Sequence, residues 1–388
     1  MRAKYSILLA LGASQAIAAT FPEQAVHTYP CENCASLPRA ALSTHWAFTD
    51  SRLLKKTSPL REQQTKSYHI KVSFAQLQKG IQLPTKAAGA ILRINPVQKK
   101  SSALPEMPQL LIQKDRLQYT LKEAAELMAK DEALIDTPFP RNGVVMQLSP
   151  SLGSGMFLLT AASGNNSPSD EFIIHVNDIG SSAYFSVGTD KSSYRYGDML
   201  IATIRTTDYN ADRIEATLFS PGGTQYLLTL KEISEGVYQG KTRLTEEINS
   251  LGENWYVEAE ECILLGSQEL KYQAHTAFSY SLPSAALLEI KPSGKQAFEY
   301  SARLNVAMSS RYALQAVLLA TDKQGHKIPV ETAQSANWLD AGKTSLTISF
   351  SPDLASRYSG PFYLTAIQLI DYGQIKSVFE YNNPILIS

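Results

Sequence analysis

The sequence has little cysteine, no long apolar run and no block of one charge. Three cysteines in 388 residues are too few for disulfides to hold a chain of this size, so hydrophobic cores must do it. No stretch approaches the roughly 20 apolar residues that a membrane-spanning helix needs, which excludes an integral helical segment. Lys plus Arg and Asp plus Glu both number 36. Neither sign forms a run, so neither a nucleic-acid footprint nor a polybasic membrane surface is implied. The motifs of common hydrolytic chemistry are missing too. No serine sits in G-x-S-x-G and no histidine in H-E-x-x-H, so no residue is assigned a catalytic role and no cofactor is implied.

What the chain does have begins at its start. Arg2 and Lys4 precede the apolar stretch Ile7-Leu8-Leu9-Ala10-Leu11, and Ala16-Ile17-Ala18 supplies the small-x-small site that a signal peptidase needs. Residues 1–18 are therefore expected to be a cleavable export signal, removed after Ala18. No cysteine lies at that point to take a lipid anchor. The expected location is the periplasm or the space outside the cell. Cleavage removes two cations and leaves a net charge of −2. The roughly 370 residues that remain exceed one core and suggest two to four domains of roughly 100–150 residues. Tyrosine and proline, 19 of each, suit β-structure with many turns.

Residues 19–66 read as a weakly structured lead-in with scattered prolines and the pair Cys31/Cys34. From Ser67 the pattern changes. Tyr68-His69-Ile70-Lys71-Val72-Ser73-Phe74 alternates with period two, as a half-buried strand does. One segment breaks this rhythm: Thr120 and Glu123 form a capping box. Leu121, Ala124, Ala125 and Met128 then make an apolar stripe, which predicts a single helix over Thr120–Lys130. Residues 67–180 are thus expected to be a mixed β-domain with one helix. The following segment opens with Thr189-Asp190-Lys191 and Tyr194-Arg195-Tyr196-Gly197-Asp198. Short strands then recur with turn residues every 8–12 positions, the pattern of a β-sandwich. Pro283 marks a second boundary, so the expected class is mostly β, with Ig-like sandwiches over 181–283 and 284–388.

The stretch TDKSSYRYGD…LFSPGGTQ…SEGVYQG…ENWYVEAE resembles Ig-like domains of bacterial exported proteins. It departs from their pattern at Tyr196, where proline is usual, and at Glu235, where aspartate is usual. The third segment, SRYALQAVLLATDKQG…LDAGKTSLTISF…YSGPFYLTAIQLID, resembles accessory β-sandwiches found beside secreted peptidases and adhesion modules. As a whole the chain resembles the uncharacterised gammaproteobacterial exported family DUF4785, with Ig-like second and third domains. That resemblance implies an architecture and no mechanism.

Each candidate for chemistry has a plainer structural reading. In an exported protein, Cys31-Glu32-Asn33-Cys34 most simply closes a local disulfide; a redox role needs a βαβ setting that is absent here. His27, Cys31, Cys34 and His45 could also supply four zinc ligands, although H-x3-C-x2-C-x10-H is not a standard finger. Cys262 reads as a buried thiol, with pairing to Cys31 or Cys34 as the alternative. Asp208-Tyr209-Asn210-Ala211-Asp212 begins like a calcium loop, but Arg213 replaces the required glycine and Phe219 the final glutamate. Tyr184, Tyr194, Tyr196, Tyr209 and Tyr226 could form an aromatic face or simply fill a core. Two functions follow. The first is a non-enzymatic exported binding or accessory protein with a protein or glycan partner. The second is a secreted, peptidase-like hydrolase whose site would join His69 or His175 to a serine or carboxylate. Mass spectrometry of the exported protein is expected to place the mature N-terminus at Ala19. A mass two protons short marks the disulfide, whereas zinc released by a chelator marks the metal site.

Overall fold

The computed structural model describes residues 18–48, 62–98, 104–130, 143–207, 211–245 and 252–387. Residues 1–17 and Asp208–Asn210 lie outside them. The fold is mostly β, as the sequence pattern implies, with short helices at Phe74–Lys79, Leu121–Ala124 and Leu354–Arg357.

The alternating segments of the first domain become strands of one sheet. Ser67–Ser73, Glu171–Asn177, Ile91–Val97, Val144–Leu148 and Ala125–Lys130 lie side by side in that order. Register puts Tyr68 opposite Val176, Ile70 opposite Ile174 and Val72 opposite Phe172. All six are buried, because period-two alternation sends them to one face. A second sheet, Ile81–Thr85, Gly155–Ser163, Gln109–Lys114 and Leu117–Thr120, closes the core from the other side with Leu83, Phe157, Leu159 and Ile112.

The segment expected to be one helix divides. The capping box forms, with Thr120 Oγ1 accepting from the Glu123 amide at 3.3 Å and Glu123 Oε2 from the Thr120 amide at 2.8 Å. The helix nevertheless ends at Ala124, and Ala125–Lys130 pairs with Val144–Leu148. The strand Val144–Leu148 offers an open backbone edge there. Its ladder competes with helical bonds that such a short segment forms only marginally. A second capping box, Ser73 with Gln76, starts Phe74–Lys79; the S-x-x-Q signature was present in the sequence.

The second domain packs the sheet Gln63–Thr65, Phe185–Thr189, Met199–Thr206, Val237–Arg243 and Leu230–Ser234 against strands that include Arg213–Phe219 and the long hairpin Trp255–Leu265/Gln268–Ser281. Its opening turn is tied by Asp190, whose Oδ1 accepts from the Tyr194 hydroxyl at 2.6 Å and the Ile201 amide at 2.9 Å. Tyr194 is fully buried, and Tyr226 stacks on Trp255.

In the third domain, the sheet Ala285–Pro292, Glu299–Val306 and Gly342–Ser349 faces the sheet Lys327–Leu339, Ser310–Thr321, Tyr363–Asp371 and Lys376–Tyr381 over one core. Both sheets are extended by the segment read as a loose lead-in. Ala19–Thr20 pairs with Ala285–Pro292, and Leu42–Ala47 pairs with Lys327–Leu339. Phe21 enters the core, edge-on to Phe379 at 5.3 Å and Tyr381 at 5.2 Å. The N-terminal segment is therefore a strap: it starts on the third domain, then adds a strand to the second at Gln63–Thr65 and to the first at Ser67–Ser73.

The strap is fixed where the second and third domains meet. The Asp371 carboxylate, fully buried, accepts from Tyr29 at 2.9 Å, Ser284 at 2.6 Å, Ser310 at 2.7 Å, the Gly373 amide at 2.9 Å and Gln374 at 3.1 Å. Gln374 also bonds both backbone groups of Leu282 in the linker. Burial, followed by the Asp371 charge, pushes the Tyr29 hydroxyl well above its ordinary range. The Cys31–Cys34 disulfide packs on the same spot: a Cβ on Gly373 would lie 2.7 Å from Cys34 Sγ and 2.1 Å from the Tyr29 hydroxyl, so only glycine fits there. Asp371→Ala strips five donors of their shared acceptor. It is expected to cost about 3 kcal/mol or more, read as a lower midpoint in denaturant unfolding; an unchanged midpoint would contradict this account of the junction.

Candidate functional site

The long hairpin shapes two concave features of the surface. Its strands of 11 and 14 residues reach beyond their own domain. Trp255, Val257, Ala274, Phe278 and Tyr280 fill the second core, whereas Ile263 and Leu270 near the tip belong to the first. Gly266, with φ of 63°, makes the turn that lets the tip reverse. Lys271 and Tyr272 then pair with His69 and Tyr68, which joins the two domains into one ten-stranded sheet. At the tip, the Gln268 amide bonds both backbone groups of Gln82. Tyr68 packs on Tyr272 at 5.4 Å and donates to the Pro84 carbonyl at 2.9 Å.

A cleft of about 380 Å³ lies beside the tip, between the two domains. Pro84, Ile263, Leu265 and Leu270 give it an apolar wall, Tyr184 and Tyr272 contribute aromatic rings, and Lys66, Lys86, Asp178, Asp212 and Glu261 contribute charges. Several of these polar groups are already fixed by the fold. Asp178 accepts from the Lys86 amide at 2.5 Å and the Ala87 amide at 3.2 Å, Asp212 from the Leu264 amide at 2.6 Å, and Glu261 from the Thr206 hydroxyl at 2.5 Å. Tyr184 is anchored through its amide, which donates to Thr207 at 2.8 Å. The cleft is thus preformed, amphipathic and lined by no imidazole. That composition suits binding of a small organic ligand.

The hairpin's other flank holds a slot of about 350 Å³. Pairing between Ser67–Ser73 and the hairpin stops at His69. Beyond that point the slot opens, lined by Ile70, Lys71, Val72, Gln76, Lys79, Gly80, Ile81 and Gln82 of the first domain and by Leu265, Ser267, Gln268, Glu269 and Lys271 of the hairpin.

The residues singled out from the sequence are dispersed. Cys31 and Cys34 are joined to each other. His27 stacks on Tyr196 at 4.5 Å, and His45 lies on the exposed strand Leu42–Ala47, 3.8 Å from Glu331. The four do not converge, and no cluster of three ligand-type residues occurs among the described residues. Cys262 is a free, buried thiol, its pKa raised first by burial and then by Glu269. Of the five tyrosines, only Tyr184 lines the cleft. Tyr194 and Tyr226 pack in the second domain, Tyr196 packs beside its core and on His27, and Tyr209 lies outside the described residues.

His69 and His175 do meet, directly opposite each other with rings 5.6 Å apart. They lie in a cross-strand row that runs from Lys271 through both imidazoles to Arg93, with no serine in it. By strand alternation this row is on the face opposite Tyr68, Ile174 and the core. Neither histidine is placed to serve the cleft as a base. Burial, then Arg93 and His69, lowers His175 to about 4. His69 is lowered chiefly by burial, with Glu260 opposing and Lys271 reinforcing.

The cleft residues escaped sequence reasoning because they meet only in three dimensions. One signal was available. Trp255, Val257, Ala259, Glu261 and Ile263 are all buried at alternate positions of one strand, so Glu261 is a carboxylate at an inward parity where apolar residues are expected.

Comparison with known proteins covers nearly the whole chain. Residues 33–178 match the DUF4785 N-terminal domain, 181–281 its central domain and 284–388 its C-terminal domain, a domain of unknown function in each case. The crystal structure of a DUF4785 family protein from Legionella pneumophila is similar at 34% identity, covering 95% of this chain and 99% of that one with a TM-score of 0.74. No curated protein sequence matches.

The histidine row gives a pH prediction with a defined sign. The folded state holds His175 neutral to about 4, whereas unfolded chains take up the proton near 6.5. Stability is therefore complete above about 6.5 and is lost as the pH falls through about 4. Melting curves are expected to show a steeper loss between these limits for the wild type than for His175→Gln; parallel curves would exclude the pair as a source of acid sensitivity.

Proposed function

The chain belongs to the DUF4785 family, and from the geometry of its domain junction we propose that it is an exported, non-enzymatic binding or accessory protein. The supporting observation is the preformed cleft beside the hairpin. A ten-stranded sheet runs through both domains, and Ile263 and Leu270 on either side of the hairpin tip are buried in the first core, so the walls stand in place before any ligand arrives. Binding to such a site loses little free energy to ordering the protein. The charged groups of known partnership hold backbone or hydroxyl groups, and the histidines face away, which favours recognition over turnover. In this proposal the second and third domains are Ig-like modules, an assignment supported by two antiparallel sheets around each core and by the Asp190–Tyr194 turn. Export is supported by the signal-like residues 1–18, and the disulfide suits an oxidising compartment. Fold membership alone names no ligand.

Tyr184 is the most direct handle on this reading, because its ring lines the cleft while its backbone is held independently. Thermal-shift screening of the mature protein against oligosaccharide and peptide panels is expected to find a stabilising ligand. In Tyr184→Ala its affinity should fall about tenfold or more, equivalent to about 1.4 kcal/mol, with little change in the unliganded melting temperature. Sustained turnover of a fluorogenic peptide or glycoside, lost in a cleft variant, would replace the binding protein with an enzyme.

A further inference from the structure

We propose that His69 and His175 form a binding site for one monovalent copper ion, held between the two imidazoles on the outer face of the ten-stranded sheet. The site lies apart from the cleft, and the proposal goes beyond the binding reading without resting on it.

The first observation is register. His69 and His175 are direct partners on antiparallel strands, so their side chains leave the same face and stand side by side. Their ring centres are 5.6 Å apart and the ring planes differ by 37°. A metal about 2 Å from one nitrogen of each ring lies about 3.1 Å from each ring centre. Two rings that share it in line therefore have centres about 6 Å apart. The observed separation fits a slightly bent arrangement, reached by rotating each ring about its own χ2 with the backbone in place.

The second is unmet bonding capacity. Both histidines are half-buried, yet neither ring makes a hydrogen bond among the described residues. Polar side-chain atoms removed from water ordinarily find a partner. Burial also keeps both rings unprotonated at neutral pH, so each holds a lone pair ready for a metal.

The third is the surroundings, which select the metal. No third carboxylate, thiol or imidazole joins the pair among the described residues. Zinc takes three or four protein ligands, whereas monovalent copper is satisfied by two imidazoles in line. The neighbouring charges also favour one positive charge over two. Lys271 and Arg93 flank the pair in the same cross-strand row. The Lys271 ammonium donates to Glu260 at 3.0 Å, and at His69 the Glu260 charge outweighs that of Lys271. Lys71, the next outward residue on the strand of His69, is paired with Glu171 at 2.8 Å. Arg93 is left as the main opposing charge, and a monocation meets half the repulsion that a dication would.

The test titrates the mature full-length protein with copper(I) against a chromophoric copper(I) chelator. Oxygen is excluded, and so are thiols, which keeps Cys31–Cys34 closed. One ion per chain is expected, with a dissociation constant below about 1 µM; weaker binding overturns the proposal. X-ray absorption of the bound copper should show two nitrogen neighbours in line, and sulfur neighbours or a higher coordination number overturn it. This spectrum is read on the wild type, so the outcome does not hang on a variant that fails to fold. His69→Gln and His175→Gln should each weaken binding about a hundredfold, while Tyr184→Ala and Cys262→Ala leave it unchanged. Binding kept in both histidine variants, or lost with the free thiol of Cys262, assigns the copper elsewhere and overturns the site. Zinc should bind about tenfold more weakly than copper or worse; equal affinity overturns the choice of metal.

Discussion

Unpaired sheet edges govern this molecule. A strand at the margin of a sheet leaves a row of main-chain donors and acceptors that must find partners or meet water. Here each domain's edge is met by chain from elsewhere in the sequence. The third domain receives Ala19–Thr20 and Leu42–Ala47 from the start of the chain, the second receives Gln63–Thr65, and the first receives the tip of the second domain's hairpin. The ten-stranded sheet, the buried Asp371 cluster and both clefts follow from these exchanges. Asp371 matters because the strap's tyrosine, the linker's serine and the third domain's own strands all converge on it.

Strands that bury one face were legible in the sequence, because burial writes itself as alternation. Ser67–Ser73 and Glu171–Asn177 are plain cases. The strap was not legible, for a matching physical reason. All six residues of Leu42–Ala47 are exposed, so the strand is held by main-chain pairing and no apolar rhythm marks it. Ala19–Thr20 is too short for any pattern. Between Thr120 and Lys130 the local signals were correct as far as they went. The capping box formed, and Leu121 and Ala124 are buried, but the choice between helix and strand beyond Ala124 was made by the edge of Val144–Leu148, which no local window contains.

The candidate site was less legible still. Lys86, Asp178 and Glu261 lie far apart in the sequence, and no local pattern joins them. They line one cleft only because the hairpin carries Glu261 across the domain junction. His69 and His175 attract notice in the sequence as candidate bases, and they do meet. They meet on the far face, between Lys271 and Arg93, where the register of four strands sets a row of nitrogen-bearing side chains in line. Parity along each strand assigned these histidines to that face as firmly as it assigned Glu261 to the cleft.

The strap also has a consequence for how the protein comes into being. Tyr29 and Asp371 are 342 positions apart, so Tyr29 meets its partner only when the strand that carries Asp371 exists. Contacts of such sequence separation bring a high contact order, which slows folding. The strap must stay unclaimed until the strand that carries Asp371 has been made. The third domain, made after the other two, is then completed by residues made before them.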